Sequence, residues 1–484
     1  MDVQELRRLK PELTKYLKRF DHCFPRKDTR AHLPVYVTGQ LSDLPRKSVE
    51  PIALAAEEAP RTLQEFLSQH CWDEDRARDE LQEIVRSEHA GPHTIGIIDE
   101  TSFVKKGDKT PGVKRQWCGA AGKQENCMVT VHLSYARDDF HCVLDGELYL
   151  PEDWANDYER RKQAGIPEEM TYRPKWEIGL ELYDRAVGNG LQFEWITFDE
   201  WYGGKPNFLR ALSALGQWFV GEVPKSFVGW LKPPRVVTRP FRRHGHGGRR
   251  RKVPRLASGS PRARRVDELL EQGELRDQPW QLWRVKDGEK GPMIWEVKHC
   301  RFTPKDENGL PAEPMHLIVA RDVLDPSVIK FFISNAPPET PLQHMLLVAF
   351  SRWRVERCFE DHKGEIGLDH YEGRLYLGLK RHLILSAVSY LFLARTRQRL
   401  GGGKSGADRV PSTHGHRCLD PFLVARAASS QQAALQDRGQ HSLYTAQECA
   451  GAQVPHQTND EAASQFRHQA YRNPAVSMAQ DIAL

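Results

Sequence analysis

Three acids far apart in the chain, Asp99, Asp199 and Glu356, stand in contexts where carboxylates can do phosphoryl chemistry. Cleaving a phosphodiester at neutral pH needs a nucleophile made from water and a way to offset charge on the leaving oxygen. Two Mg²⁺ ions about 3.5–4 Å apart do both. Mg²⁺, or Mn²⁺ in its place, prefers carboxylate oxygen, so such a site needs two or three acids on rigid, converging elements. Asp99 closes the apolar run Thr94–Asp99 (TIGIID), and Asp199 follows the apolar run Phe193–Phe198 (FEWITF). Both runs read as buried strands, and in neighbouring parallel strands such ends meet at the sheet edge where α/β proteins keep their sites. Arg352, Glu356, Glu360 and Lys363 are spaced 4, 4 and 3, which is one stripe of an α-helix. A helix crossing that edge would bring Glu356 to the metals, with Arg352 and Lys363 beside it as phosphate-holding cations. Singly, each feature has a plainer reading: a turn or cap aspartate, or a solvated salt-bridge ladder. It is their combination that points to metal-dependent chemistry.

An α/β segment must position these acids. Cys127–Tyr135 alternates with period two, and Phe140–Leu150 is a third strand candidate. Lys175–Val187 has helical periodicity stopped by Gly188 and Gly190; Phe193–Phe198 is a strand, Asn207–Leu215 a helix and Trp218–Val223 a strand. Three strands, helix, strand, helix, strand is the chain order of an RNase H-like α/β core. Residues 1–90 read as a helical N-terminal DNA-binding domain, with Ser48–Ser68 a candidate helix-turn-helix, and 91–224 as the first part of the core. Residues 225–338 read as a β-rich basic insertion, with strand-like pieces at Trp280–Val285, Met293–Cys300, His316–Arg321 and Val328–Ser334 and a hairpin turn at Lys286-Asp287-Gly288. Residues 339–400 supply the C-terminal helices of the core: a long one from Leu342 to Lys363 capped by Gly364, and an apolar one over Leu377–Arg397. Beyond 401 the Gln-, Ser- and Ala-rich composition predicts a poorly ordered tail. The expected fold class is α/β: an RNase H-like mixed sheet interrupted by a β-rich insertion, behind a helical N-terminal domain.

The bulk composition narrows the partners. A chain of 484 residues, 39% hydrophobic and 28% charged, with a net charge of +5, suits a globular protein without proving a nucleic-acid ligand. The distribution says more. Arg239–Arg265 holds eleven Lys or Arg, among them Arg249, Arg250, Arg251 and Lys252, and no acid. A polyanion is its natural partner, and with Lys105 and Lys106 it would hold phosphate backbone with an affinity that falls steeply with salt. Nine Cys without a CxxC pair read as reduced thiols, and His414, His416 and Cys418 lack a second ligand cluster for zinc. The sequence GGGKS at Gly401–Ser405 lacks the first Gly of a phosphate loop, which argues against nucleotide binding. The N-terminus carries no apolar signal segment, and the apolar stretch Leu383–Ala394 is too short to span a bilayer, so a cytoplasmic protein is expected.

Taken together, these blocks resemble bacterial insertion-sequence transposases of the cut-and-paste, DDE class, in the branch with a Tyr–Arg–Glu–Lys signature and a β-insertion before it. In that signature Glu follows Arg by four and Lys follows Glu by seven, as Arg352, Glu356 and Lys363 do in RWRVERCFEDHKGEIGLDHYEGR. The segment IIDETSFVKKGDKTPGVKRQWCGAAGKQENCMVTVHLSY is similar to the family's stretch around its first Asp, and TFDEWYGG to the second. The likeness covers roughly residues 30–395. It implies that Asp99, Asp199 and Glu356 hold two Mg²⁺ or Mn²⁺ ions and that Arg352 and Lys363 grip phosphate near the cut. It also implies a dimer that brings two ends of double-stranded DNA together and joins them to target DNA. Relatives with such an insertion stack a flipped base on one of its Trp residues, which makes Trp280, Trp283 and Trp295 candidates. Two departures stand out: the signature Tyr falls on Ala349, and TFDEWYGG is looser than the first block. The same acids would also serve an RNase H-like nuclease without strand joining, while a transposase-derived DNA-binding protein would not use them. A carbohydrate hydrolase with paired carboxylates fits poorly with the basic run.

Overall fold

Period-two patterning in the middle of the chain is realised as one mixed sheet in the computed structural model, which describes residues 3–238, 253–288 and 291–401. Arg249, Arg250, Arg251, Lys252 and everything beyond 401 lie outside the described residues. Strands β1 (Ile95–Val104), β2 (Lys114–Cys118), β3 (Lys123–Arg137), β4 (Phe140–Tyr149), β5 (Trp195–Phe198) and β6 (Phe219–Val223) form its first half. β1 is antiparallel to β3, and β3 to β4, while β1 is parallel to β5 and β5 to β6. The order β4-β3-β1-β5-β6 with that polarity is an RNase H-like core.

The sheet does not stop at β6. Strands β7 (Val228–Trp230), β8 (Val236–Val237), β9 (Arg255–Leu256), β10 (Arg264–Arg265), β11 (Gln281–Gly288), β12 (Gly291–Pro304), β13 (Met315–Asp322) and β14 (Ile329–Ser334) follow, of which β8 and β9 form a separate two-stranded sheet. β14 pairs antiparallel with β6, and the sheet runs on through β13 to β12, which also carries β11 and β7. The expected turn at Lys286-Asp287-Gly288 is displaced: these residues pair with Met293, Pro292 and Gly291 inside the β11–β12 ladder. A bulge between Arg284 and Lys286 lets the pairing continue through the Asp-Gly step.

Five helices precede the sheet: α1 (Val3–Leu17), α2 (Lys27–Gln40), α3 (Val49–Ala55), α4 (Pro60–Ser68) and α5 (Glu74–His89). Their buried residues, among them Leu33, Ile52, Phe66 and Ile84, share one apolar cluster with Val131 and Leu133 of β3 and with Val388 and Leu391 further on. Between strands lie α6 (Glu152–Ala155), α7 (Tyr158–Gln163), α8 (Lys175–Gly188), α9 (Glu200–Gly203), α10 (Pro206–Ala214), α11 (Val266–Leu270) and α12 (Gly273–Asp277).

The long helix expected over Leu342–Lys363 is divided into pieces: α13 (Leu342–Ala349), a 3₁₀ turn (Phe350–Arg352), α14 (Trp353–Asp361) and a π turn (His362–Ile366). The π turn carries the helix past Gly364, and the left-handed cap is Gly367 at φ 75°. A Cβ on Gly367 would lie 2.7 Å from His370 Nδ1 and 2.8 Å from Lys47 Cβ, so both backbone angle and space require glycine. The last described helix, α15 (Tyr376–Gly401), is long and apolar enough to cross a membrane by length and composition, yet it is a core helix. Leu379, Val388 and Leu391 are fully buried. Its polar residues find partners on α2: Tyr36 hydroxyl with His382 Nδ1 at 2.8 Å, and Gln40 with Ser386 and Ser389, each at 2.8 Å.

Candidate acidic site

Asp99 lies within β1 and not at its end, because pairing with β3 continues from Asp99↔His132 through Val104↔Cys127. Its side chain is buried. The parallel register Ile98↔Phe198 sets Asp199, the residue just past the end of β5, beside Asp99. Asp199 is also the cap of α9: its Oδ1 accepts from the backbone N–H of Trp201 at 3.0 Å and of Tyr202 at 3.2 Å. The single turn of α9 is pressed onto β6 at Gly203, where a Cβ would come within 1.9 Å of the Glu222 carbonyl oxygen. Glycine at that position allows the close approach that fixes the direction of the Asp199 carboxylate.

The third acid arrives through an arginine. Arg352 ends the 3₁₀ turn, and its guanidinium spans two carboxylates: Nη1 lies 2.9 Å from Asp99 Oδ2 and Nη2 lies 2.7 Å from Glu356 Oε1. The Arg352 side chain is 24% exposed and that of Glu356 54%. Burial pushes the Asp99 carboxyl above its ordinary range; Arg352 opposes this and the charge of Asp199 adds to it. Burial also raises Asp199, against the backbone N–H groups of the α9 turn and Arg352, with Glu222 adding a further upward push. A buried acid beside a half-buried one is therefore short of positive charge. A hard divalent cation suits that donor set in kind. Among the described residues no three His, Cys, Asp or Glu side chains converge closely enough to hold one ion, and Asp99 and Glu356 meet across the Arg352 guanidinium instead.

The other expected site residues separate. Lys363 Nζ donates to the Ser102 carbonyl at 3.2 Å, which ties the π turn to the acid-bearing strand. Lys105 is not presented to a phosphate: Nζ donates to the carbonyls of Asp369 at 2.9 Å and Tyr371 at 2.6 Å, and burial lowers its pKa to about 8. Lys106, next to it, is exposed. Trp295 is buried in an apolar cluster with Met345 and Leu346, its ring 5.0 Å from that of Phe350, so it is core and not an open stacking surface. Trp283 is half-buried beside the same cluster, and Trp280 lies under Lys298 and Arg321. Ala349, at the signature's Tyr position, is buried there as well.

Two neighbours of the acids, Glu222 and Glu100, carry no role in the sequence reading. Glu222 on β6 takes two 2.9 Å bonds from Lys330 Nζ while its charge reaches Asp199 and Arg352. Glu100 pairs with Lys175 and accepts from the Tyr202 hydroxyl at 3.5 Å. A lone acid inside the apolar strand FVGEV was the available signal for Glu222; the pairing of Glu100 had none.

The profile of the DDE superfamily endonucleases matches residues 19–292, a stretch that contains Asp99 and Asp199 and ends before Glu356. A probable transposase for the insertion sequence element IS701 of Microchaete diplosiphon is 30% identical over 276 residues, covering 55% of this chain and 67% of the relative. Among solved structures, the NurA nuclease from Sulfolobus solfataricus aligns over 59% of this chain and 89% of its own at 12% identity, with a TM-score of 0.21. By profile and relative together, the chain belongs to the DDE superfamily of endonucleases, among the insertion-sequence transposases.

Proposed function

We propose that this chain is the transposase of an insertion element, cutting DNA at the element's ends and joining them to target DNA, with Asp99, Asp199 and Glu356 as its metal-holding acids. The observation that carries the reading is the Arg352 guanidinium joined to Asp99 and Glu356, two acids 257 positions apart drawn together on an RNase H-like sheet, level with the end of the β1–β5 pairing. When bound there, Mg²⁺ or Mn²⁺ would supply the charge that makes water nucleophilic at neutral pH and offsets the leaving oxygen.

The chain's own residues do the rest. The backbone N–H groups of α9 lock Asp199 through its Oδ1, and the β1–β5 register holds Asp99 beside it. Arg352, released from the acids, is placed to hold a phosphate with its planar fork. Lys363, anchored on the Ser102 carbonyl, keeps the helix carrying Glu356 against β1. The exposed Lys106 and the basic run Arg239–Arg265 would follow the phosphate backbone, and a dimer is the natural state for bringing two DNA ends together.

The test uses the element's own terminal DNA and, separately, a pre-cut end with a target plasmid. Wild type is expected to cleave and join in the presence of Mg²⁺. Glu356→Gln should lower both by at least about 10²-fold, the scale of one lost electrostatic contact to developing charge, while DNA binding persists. Cleavage without joining would identify a nuclease. Equal activity of wild type and variant would remove Glu356 from the centre.

A further inference from the structure

The hairpin that follows the acid-bearing strand has no part in the chemistry above. Residues 104–126 lead out from the end of β1 and return through β2 into β3. They carry Lys105, Lys106, Lys109, Lys114, Arg115 and Lys123 against two acids, Asp108 and Glu125. Among the described residues β2 pairs only with β3, from Lys114↔Cys127 to Cys118↔Lys123, so its other edge is open. Alternation along β2 sends Cys118 inward, where its Sγ donates to Ser102 Oγ at 3.3 Å, and Arg115 and Trp117 to the opposite face. There Trp117 is 63% exposed, and Arg115 is exposed beside it. Their cross-strand neighbours are the amides Asn126 and Gln124.

The hairpin is firmly held. Asn126 Nδ2 donates to the carbonyls of Lys105 at 2.7 Å and Gly107 at 2.8 Å, and Lys105 is tied in turn to Asp369 and Tyr371. Ser102, on which β2 rests, lies three residues beyond Asp99, roughly 10 Å along an extended strand. A rigid indole left open beside an exposed guanidinium, on a hairpin that also carries the exposed Lys106 and Lys109, matches a nucleobase on its phosphate chain. Bases inside a duplex have no free face, so the ligand must be an unpaired one.

We infer that Arg115 and Trp117 form a stacking platform for an unpaired base at the DNA end handled by the acidic site. The inference rests on the DNA-acting reading above. It is tested with the full chain, without divalent metal, by fluorescence anisotropy on a labelled blunt duplex and on the same duplex with a three-nucleotide single-stranded tail. Trp117→Ala is expected to weaken binding of the tailed duplex about tenfold or more and to change the blunt duplex less than about twofold, with Trp117→Phe retaining most of the affinity. Arg115→Ala should lower the salt slope by about one, and Trp117→Ala should leave it unchanged. Loss of equal size on both duplexes, or no loss on either, overturns the platform and leaves the DNA-acting reading in place. Failure of the wild type to bind either duplex overturns both. If sedimentation shows the wild type self-associating and Trp117→Ala not, the face joins copies of this chain and the platform is wrong.

Discussion

Arg352 holds two carboxylates at once, and one of them is buried next to another acid. Removing the guanidinium would leave Asp99 with less opposing its burial and the charge of Asp199. The direction of the effect follows from protonation. A carboxyl raised above its unfolded value contributes stability that is present at low pH and lost as pH rises through the raised value. Without Arg352 that loss is larger. Arg352→Ala should therefore lower the melting temperature more at pH 8 than at pH 5, because protonated Asp99 has little need of the cation. Thermal scans at the two values decide it, and an equal drop at both would mean that Arg352 does not neutralise Asp99. At this scale much was legible: the spacing of Arg352, Glu356 and Lys363 and the apolar runs before Asp99 and Asp199 are local signals. What a long cation touches is not local. Lys105 reaches two carbonyls some 265 positions away, and no pattern around it distinguishes that from a phosphate contact.

Elements supply the next level of control. The segment from Leu342 to Gly367 passes through α-helical, 3₁₀, α-helical and π geometry, and the changes of winding place Arg352 against Asp99 and Lys363 against Ser102. Apolar periodicity foretold a helix here but not its breaks, since 3.6-residue spacing tolerates a tightened or loosened turn. The same limit explains the cap at Gly367 in place of Gly364. Lys105 belongs to this scale because its ammonium staples the hairpin after β1 to the segment after the π turn. Lys105→Ala should cost about 1–3 kcal/mol through the two carbonyls left without a donor and leave the salt slope of DNA binding unchanged. Lys106→Ala should do the reverse, with wild-type stability and a slope reduced by about one. Chemical denaturation and salt titrations of the two variants separate anchor from phosphate contact; a lower salt slope for Lys105→Ala would reassign it.

Across the whole molecule, the chain order of strands and helices disclosed the RNase H-like core because each element carried its own period. Its neighbours did not disclose themselves. Alternation shows that β14 has a buried face but not that it pairs with β6, nor that Phe66 of α4 and Leu391 of α15 belong to one apolar cluster. The acidic site depends on that long-range arrangement. β1 and β5 bring Asp99 and Asp199 together, and a helix more than 150 residues later in the chain delivers Glu356 by way of Arg352. Convergence of the three acids on divalent cations is tested most directly by anomalous diffraction from crystals of the full chain grown with Mn²⁺. Expected are Mn²⁺ peaks at the carboxylates of Asp99, Asp199 and Glu356, with the Arg352 guanidinium withdrawn from Asp99. Mn²⁺ bound elsewhere, with Arg352 still bridging Asp99 and Glu356 at saturation, would contradict it.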